Sequence, residues 1–177
     1  MKRVLLLMVL CATMLTSCSA PTYSLRGNYQ PEKFMETANS FDKVWDNVID
    51  FFALNNIPIS TLEKNSGIIV ATEIAIDESL VTIEDQFGKI SNPDAWFVLP
   101  YNKNAVGGRV TCSFNVRVKE VDNNKVSINI NVSNIKGRHL IKWLNTMTLR
   151  NEIVLGAVTT NCVSTGKFER DLMNLMK

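Results

Sequence analysis

The strongest constraint on the fold is a period of two that runs on both sides of one turn. Val110, Cys112, Phe114, Val116 and Val118 alternate with Thr111, Ser113, Asn115, Arg117 and Lys119. After Asp122-Asn123-Asn124, Val126, Ile128, Ile130 and Val132 alternate with Ser127, Asn129, Asn131 and Ser133. Successive side chains of a strand point to opposite faces, so the pattern predicts a hairpin with one apolar face and one wet face. Asn tolerates the positive φ that a tight turn demands. The apolar face needs a cover.

Two helices are predicted to supply it. Ser40 is a good N-cap, Asp42 suits the first turn, and Phe41, Val44, Trp45, Val48, Phe51 and Phe52 recur at helical spacing. Asn55-Asn56 and Pro58 stop that helix. Near the C-terminus, Thr165 or Ser164 can cap a second helix with Phe168, Leu172, Leu175 and Met176 as its stripe. Strand-like sequence covers Tyr29 to Ala38. Ile57 to Glu63 and Ile68 to Ile76 flank the turn Asn65-Ser66-Gly67, with Ile68, Val70, Thr72, Ile74 and Ile76 expected on one face. His139 to Met147 is compatible with a helix, and Ile153 to Thr160 reads as a strand. The expected fold class is α+β: a single domain whose antiparallel sheet is covered by an N-terminal-half helix and a C-terminal helix.

The N-terminus reads differently. Lys2 and Arg3 precede a mainly apolar run from Val4 to Leu15, which ends in Leu15-Thr16-Ser17-Cys18. A basic start, a short apolar stretch and small residues at a cut make a secretory signal. Spanning a bilayer takes roughly 20 apolar residues, and this run is shorter. The tetrapeptide resembles the lipobox of bacterial lipoproteins. That resemblance implies a diacylglyceryl group on Cys18 Sγ, cleavage before Cys18 and acylation of the new amino group. Cys11 follows the bulky Leu10 and fits the motif less well. The chain is thereby divided into a signal over residues 1–17, a tether over 18–28 and a domain over 29–177. Ser19 follows Cys18, and Ser19 to Ser24 carries no acidic residue. By resemblance to known lipoprotein sorting, this implies the outer membrane and its periplasmic face.

Charge excludes little else. Setting aside Lys2 and Arg3 leaves 17 of the 19 Lys and Arg, which match the 17 Asp and Glu. No basic excess points to nucleic acid or to a surface held by charge. Of the 4 cysteines, Cys112 and Cys162 remain once Cys11 is removed and Cys18 is acylated. They either form one disulfide, as an oxidising compartment favours, or stand as buried thiols.

Ser40-Phe41-Asp42-Lys43-Val44-Trp45 leads into Phe51-Phe52, Ile57-Pro58-Ile59 and Ser66-Gly67-Ile68-Ile69. With the order strand, long helix, antiparallel strands and terminal helix, this resembles helix-grip domains. In particular, it is similar to those of the lipoprotein C component of the β-barrel assembly machinery. Thr165-Gly166-Lys167-Phe168-Glu169 resembles the start of the terminal helix in small lipoproteins of that kind. The likeness covers roughly residues 29–87 and 109–177, with one unit here where that component carries two. Residues 88–108 have no counterpart.

Candidate chemistry is sparse. The chain has 1 His and no nucleophile motif around a serine. Cys112, His139 and Cys162 lack the spacing of metal ligands, so neither catalytic nor metal residues are assigned and no cofactor is expected. His139 lies in the basic Lys136–Trp143 stretch, which reads as a solvated loop or, alternatively, as an anion or headgroup site. Asp77-Glu78 and Glu84-Asp85 read as solvated turns rather than as an acid–base pair. Gly107-Gly108 opens no helix and cradles no phosphate. Asn92 to Asn104 is longer than a connection needs, and its Trp96, Phe97 and Tyr101 are the candidate interface, the alternative being an edge strand that caps the core. The expected role is that of a non-enzymatic, lipid-anchored accessory or scaffold with a protein partner in the cell envelope. The alternative is a carrier holding an apolar ligand between sheet and terminal helix, lined by Phe114, Val116, Ile130 and Phe168.

Overall fold

The alternating segments form the longest hairpin of the chain. A computed structural model describes residues 24–121, 124–145 and 152–177. Its elements are β1 (Phe34–Thr37), α1 (Phe41–Leu54), β2 (Thr61–Glu63), β3 (Ile68–Ile76), β4 (Val81–Ile83), β5 (Phe97–Leu99), β6 (Ala105–Val121), β7 (Lys125–Asn145), β8 (Glu152–Thr160), β9 (Val163–Ser164) and α2 (Lys167–Asn174). The large sheet runs β1-β7-β6-β3-β2, with β8 also on β7, and every pairing in it is antiparallel. A small sheet, β4-β5-β9, joins β4 and β5 in parallel. The fold class is the expected α+β arrangement in a single domain.

On the inner face Val110, Cys112, Phe114, Val116 and Val118 meet Val126, Ile128 and Ile130, all buried. Asp122 and Asn123 of the expected turn lie outside the described residues, and Asn124 has the positive φ, 55°, expected of Asn there. β7 continues to Asn145, which overturns the helix expected over His139 to Met147; residues 146 and 147 lie outside the described residues. The reason is pairing on both sides. β6 takes one edge from Lys136 to Ile141, and β8 takes the other from Gly137 to Asn145. Backbone groups satisfied this way have no use for a helix.

The expected face of β3 is also corrected. Ile69 and Ala71 are buried, then Ile74 and Ile76, whereas Ile68 and Val70 are half-buried and Thr72 is exposed. Register shifts between Ala71 and Ile74, where Glu73 takes φ 54°, so the inward parity changes along the strand. A bulge does this by adding unpaired residues to one strand. β7 has a matching irregularity between its partners of Thr111 and Ser113, with Asn134 at φ 52°. Both lie beside Cys112 and Ser113.

α1 follows its sequence closely. The backbone N–H of Lys43 donates to Ser40 Oγ at 3.4 Å, and Asn55 is the C-cap. Val44, Trp45, Val48, Phe51 and Phe52 are buried against the sheet. α2 differs from expectation at both ends. Its N-cap is Gly166, although Thr165 Oγ1 accepts from the Lys167 N–H at 3.2 Å. The buried stripe is Phe168, Leu172, Met173 and Met176, while Leu175 is exposed. Leu175 N–H bonds to Leu172 O and Met176 N–H to Met173 O. These i to i−3 bonds tighten the last turn and rotate Leu175 off the helical face.

Candidate functional site

The segment around Arg26 docks on a buried carboxylate of the domain. Glu84 directly follows β4 and is 1% exposed. Its Oε1 accepts from the Arg26 N–H at 2.7 Å, and its Oε2 from the Gly27 N–H at 3.1 Å and the Tyr29 hydroxyl at 3.2 Å. A buried carboxylate is tolerable only when its lone pairs are met, and three donors from one upstream segment meet them here. Burial, reinforced by the Glu84 charge and hydrogen bond, pushes the Tyr29 hydroxyl up to about 12.

The turn after Glu84 closes the clamp. Asp85 Oδ1 accepts from the N–H groups of Phe87 at 2.8 Å and Lys89 at 2.9 Å. These backbone bonds hold the Asp85 carboxyl below the usual carboxylate range. Gly88 sits at φ 83°, and a Cβ there would approach Gly27 N to 3.0 Å and Arg26 C to 3.1 Å. Only glycine meets both demands. Arg26 Nη1 also donates to Gln86 O. Arg26 and Gly27, assigned to the tether by sequence, are thus fixed to the domain.

Beside the clamp opens a cavity of about 530 Å³ lined by Ile83, Glu84, Asp85, Lys89, Tyr101, Asn102 and Lys103 among others. Its charged lining is mixed: Lys89 and Lys103 with Glu84 and Asp85. The Glu84 oxygens accept from the Arg26 and Gly27 N–H groups and the Tyr29 hydroxyl, so the side chain anchors that upstream segment to the domain.

The other candidate residues are scattered. Cys18 lies outside the described residues. Trp96 and Phe97 are buried, at 4% and 0% exposure, which overturns their assignment to an exposed interface. Trp96 stacks on Phe51 at 6.2 Å and meets Phe168 edge-on at 5.1 Å. Its N–H donates to Leu80 O, its O accepts from the Thr165 N–H, and Thr165 Oγ1 donates to Ala95 O at 2.6 Å. The segment joins β4 to the start of α2 and its aromatics cap the core, but β5 pairs with both β4 and β9, so it is the central strand of the small sheet and not the edge strand expected. Tyr101 alone of the three is exposed, at 38%, on the rim of the cavity.

His139 is fully buried in β7, so both the solvated loop and the anion site are corrected. Burial lowers its pKa, opposed by a hydrogen bond with the Pro100 backbone. Cys112 and Cys162 are free thiols in the structure. Burial pushes both up to about 12, with the neighbouring Cys162 adding to the rise at Cys112. Asp77 is a capping carboxylate, accepting from the N–H and hydroxyl of Ser79 at 2.8 and 2.6 Å. The Glu84-Asp85 pair is corrected in part: Asp85 is exposed on its turn, Glu84 is not. Among the described residues no three His, Cys, Asp or Glu side chains are grouped to hold a metal ion.

Sequence reasoning missed Glu84 and Gly88 as a pair. The signal was faint: Thr82 and Glu84 alternate with Val81 and Ile83, as a wet strand face would. The partners of Glu84 lie far upstream, and two of the three are backbone N–H groups, which no side-chain pattern reports. The sequence matches no protein-family model and no curated protein closely enough to establish a relationship.

Proposed function

We propose that the protein is a non-enzymatic lipoprotein, held by acyl chains on Cys18 at the periplasmic face of the outer membrane. There its domain serves as an accessory or scaffold for a protein partner of the cell envelope. The observation that carries this reading over a carrier is the filled core. Phe114 of β6 and Phe168 of α2 lie with ring centroids 4.2 Å apart and planes 26° apart. Phe114, Val116, Ile130 and Phe168 are all 0% exposed. A carrier would need its ligand space where these rings touch, because apolar ligands occupy concave, largely pre-formed sites.

The state of the polar side chains supports the non-enzymatic reading. Thiols with pKa near 12 stay protonated at neutral pH and are poor nucleophiles. His139 is enclosed in the sheet, and the Glu84 carboxylate is taken up by the tether.

The test uses the full chain in native membranes. Wild type is expected to take up labelled fatty acid, fractionate with membranes and yield a protein adduct after crosslinking. Cys18→Ala is expected to lose the label and the membrane association. Acyl label persisting in that variant refutes the anchor. Recovery of an apolar small molecule with no protein adduct refutes the scaffold in favour of the carrier.

A further inference from the structure

We propose that the turn carrying Phe87 is a membrane-contact surface, seated on the same bilayer that holds the acylated Cys18. The inference rests on the lipoprotein reading above. Eight positions separate Cys18 from Arg26, so an extended chain between them reaches about 26–29 Å at most. A domain of this length has a radius of gyration of about 15 Å and is therefore about 38 Å across. The tether is shorter than the domain. Its point of attachment therefore cannot lie at the pole of the domain farthest from the bilayer.

The clamp fixes where that point is. Arg26 and Gly27 are bound to Glu84, and the Arg26 side chain to Gln86 O, so the turn from Asp85 to Lys89 travels with the root of the tether. Phe87 projects from this turn at 75% exposure, among the most exposed large apolar side chains described. The turn presents it rigidly, because Asp85 holds the N–H groups of both Phe87 and Lys89. Arg26, bound to Gln86 O, and Lys89 flank it and are exposed, as is Asp85, and the exposed Lys103 lines the adjoining cavity with Lys89. An aromatic ring with flanking cations is the composition that settles at a headgroup boundary. One ring is a weak anchor alone, but a domain already tethered samples the bilayer at an effective concentration in about the millimolar range, where weak contacts are populated.

The other end of the sheet supplies the control. The turn at Lys64–Ser66 lies against Val118, whose N–H donates to Gly67 O. Val118 is near the far end of β6 from Ala105, the residue that lines the cavity beside the clamp.

The experiment places a photoreactive benzoylphenylalanine at Phe87 or at Asn65 in the full chain and irradiates native membranes. Both positions are exposed, so neither substitution threatens the fold. Lipid adducts severalfold more abundant at position 87 than at position 65 are expected. A protein adduct at 87, equal lipid labelling at both positions, or none at 87 overturns the inference while leaving the anchor intact. Loss of the protein from the membrane fraction, together with absent acyl label, refutes the lipoprotein reading and this inference with it.

Discussion

Ser164 donates its hydroxyl to Glu169 Oε2 at 2.8 Å, and both side chains are buried. Glu169 stands in the first turn of α2, and its other oxygen, Oε1, has no hydrogen-bond partner among the described residues. Burial raises its pKa above the ordinary 4.5, while the Ser164 bond and the charges of Lys33 and Arg170 draw it back. The folded state therefore holds this proton more tightly than the unfolded state does. With respect to this group, stability is greatest below about pH 4.5 and falls as pH rises through the folded value. Glu169→Gln keeps the shape and cannot ionise. The variant is expected to be more stable than wild type near pH 7, with the difference closing toward pH 4.5, as measured by urea unfolding across that range. Equal stability at neutral pH would contradict it. His139 titrates with the opposite sign: burial lowers its pKa from 6.5, so the stability it carries is lost as pH falls below that value. That contribution is common to both proteins and cancels from the comparison.

Trp96→Ala separates a core residue from an interface residue. Trp96 touches Phe51 and Phe168 and is nearly enclosed. Removing a buried aromatic costs about 3–5 kcal/mol, because transfer energy is lost and a cavity is left behind. The expected result is a fall in the urea midpoint of that size, with partner capture unchanged where the protein remains folded. A stability change within about 0.5 kcal/mol, the usual range for a surface site, would overturn the core assignment.

What could be read in advance divides along a physical line. The β6–β7 alternation, the Ser40 cap and the Val44–Phe52 face follow from neighbours in sequence, and the structure keeps them. His139 to Asn145 is ambiguous locally, since Leu, Ile and Trp suit both helix and strand. Its conformation is decided by β8 and the start of β6, which pair with it from either side. The alternation puts Ile68, Val70 and Thr72 on one face with Ile74 and Ile76, but the bulge at Glu73 shifts parity, and an unpaired residue leaves no mark in an alternating pattern. Trp96 and Phe97 suggest an interface because their segment is longer than a connection needs and carries the aromatics common at interfaces. The cover comes from elements distant in sequence, Phe51 of α1 and Phe168 of α2 over Trp96, and Phe114 of β6 beside Phe97. Glu84 is the hardest to read, since two of its three donors are main-chain groups that any residues would supply.

Glu84→Ala tests the clamp directly. Losing the carboxylate removes the acceptor of the Arg26 and Gly27 N–H groups and of the Tyr29 hydroxyl. An orphaned buried donor costs about 1–3 kcal/mol, but a released tether can hydrate its own N–H groups, so the loss should fall near about 1 kcal/mol. Two readouts report release more sharply than stability does. Trypsin should cut after Arg26 severalfold faster in the variant, while the folded remainder keeps its helical and sheet signature by circular dichroism. The Tyr29 hydroxyl, held at about 12 by burial first and by Glu84 second, should titrate part of the way back toward 10.0. Tyrosinate absorbance during an alkaline titration measures this. An unchanged cleavage rate and an unchanged tyrosine titration would mean that the tether root is held by something other than Glu84.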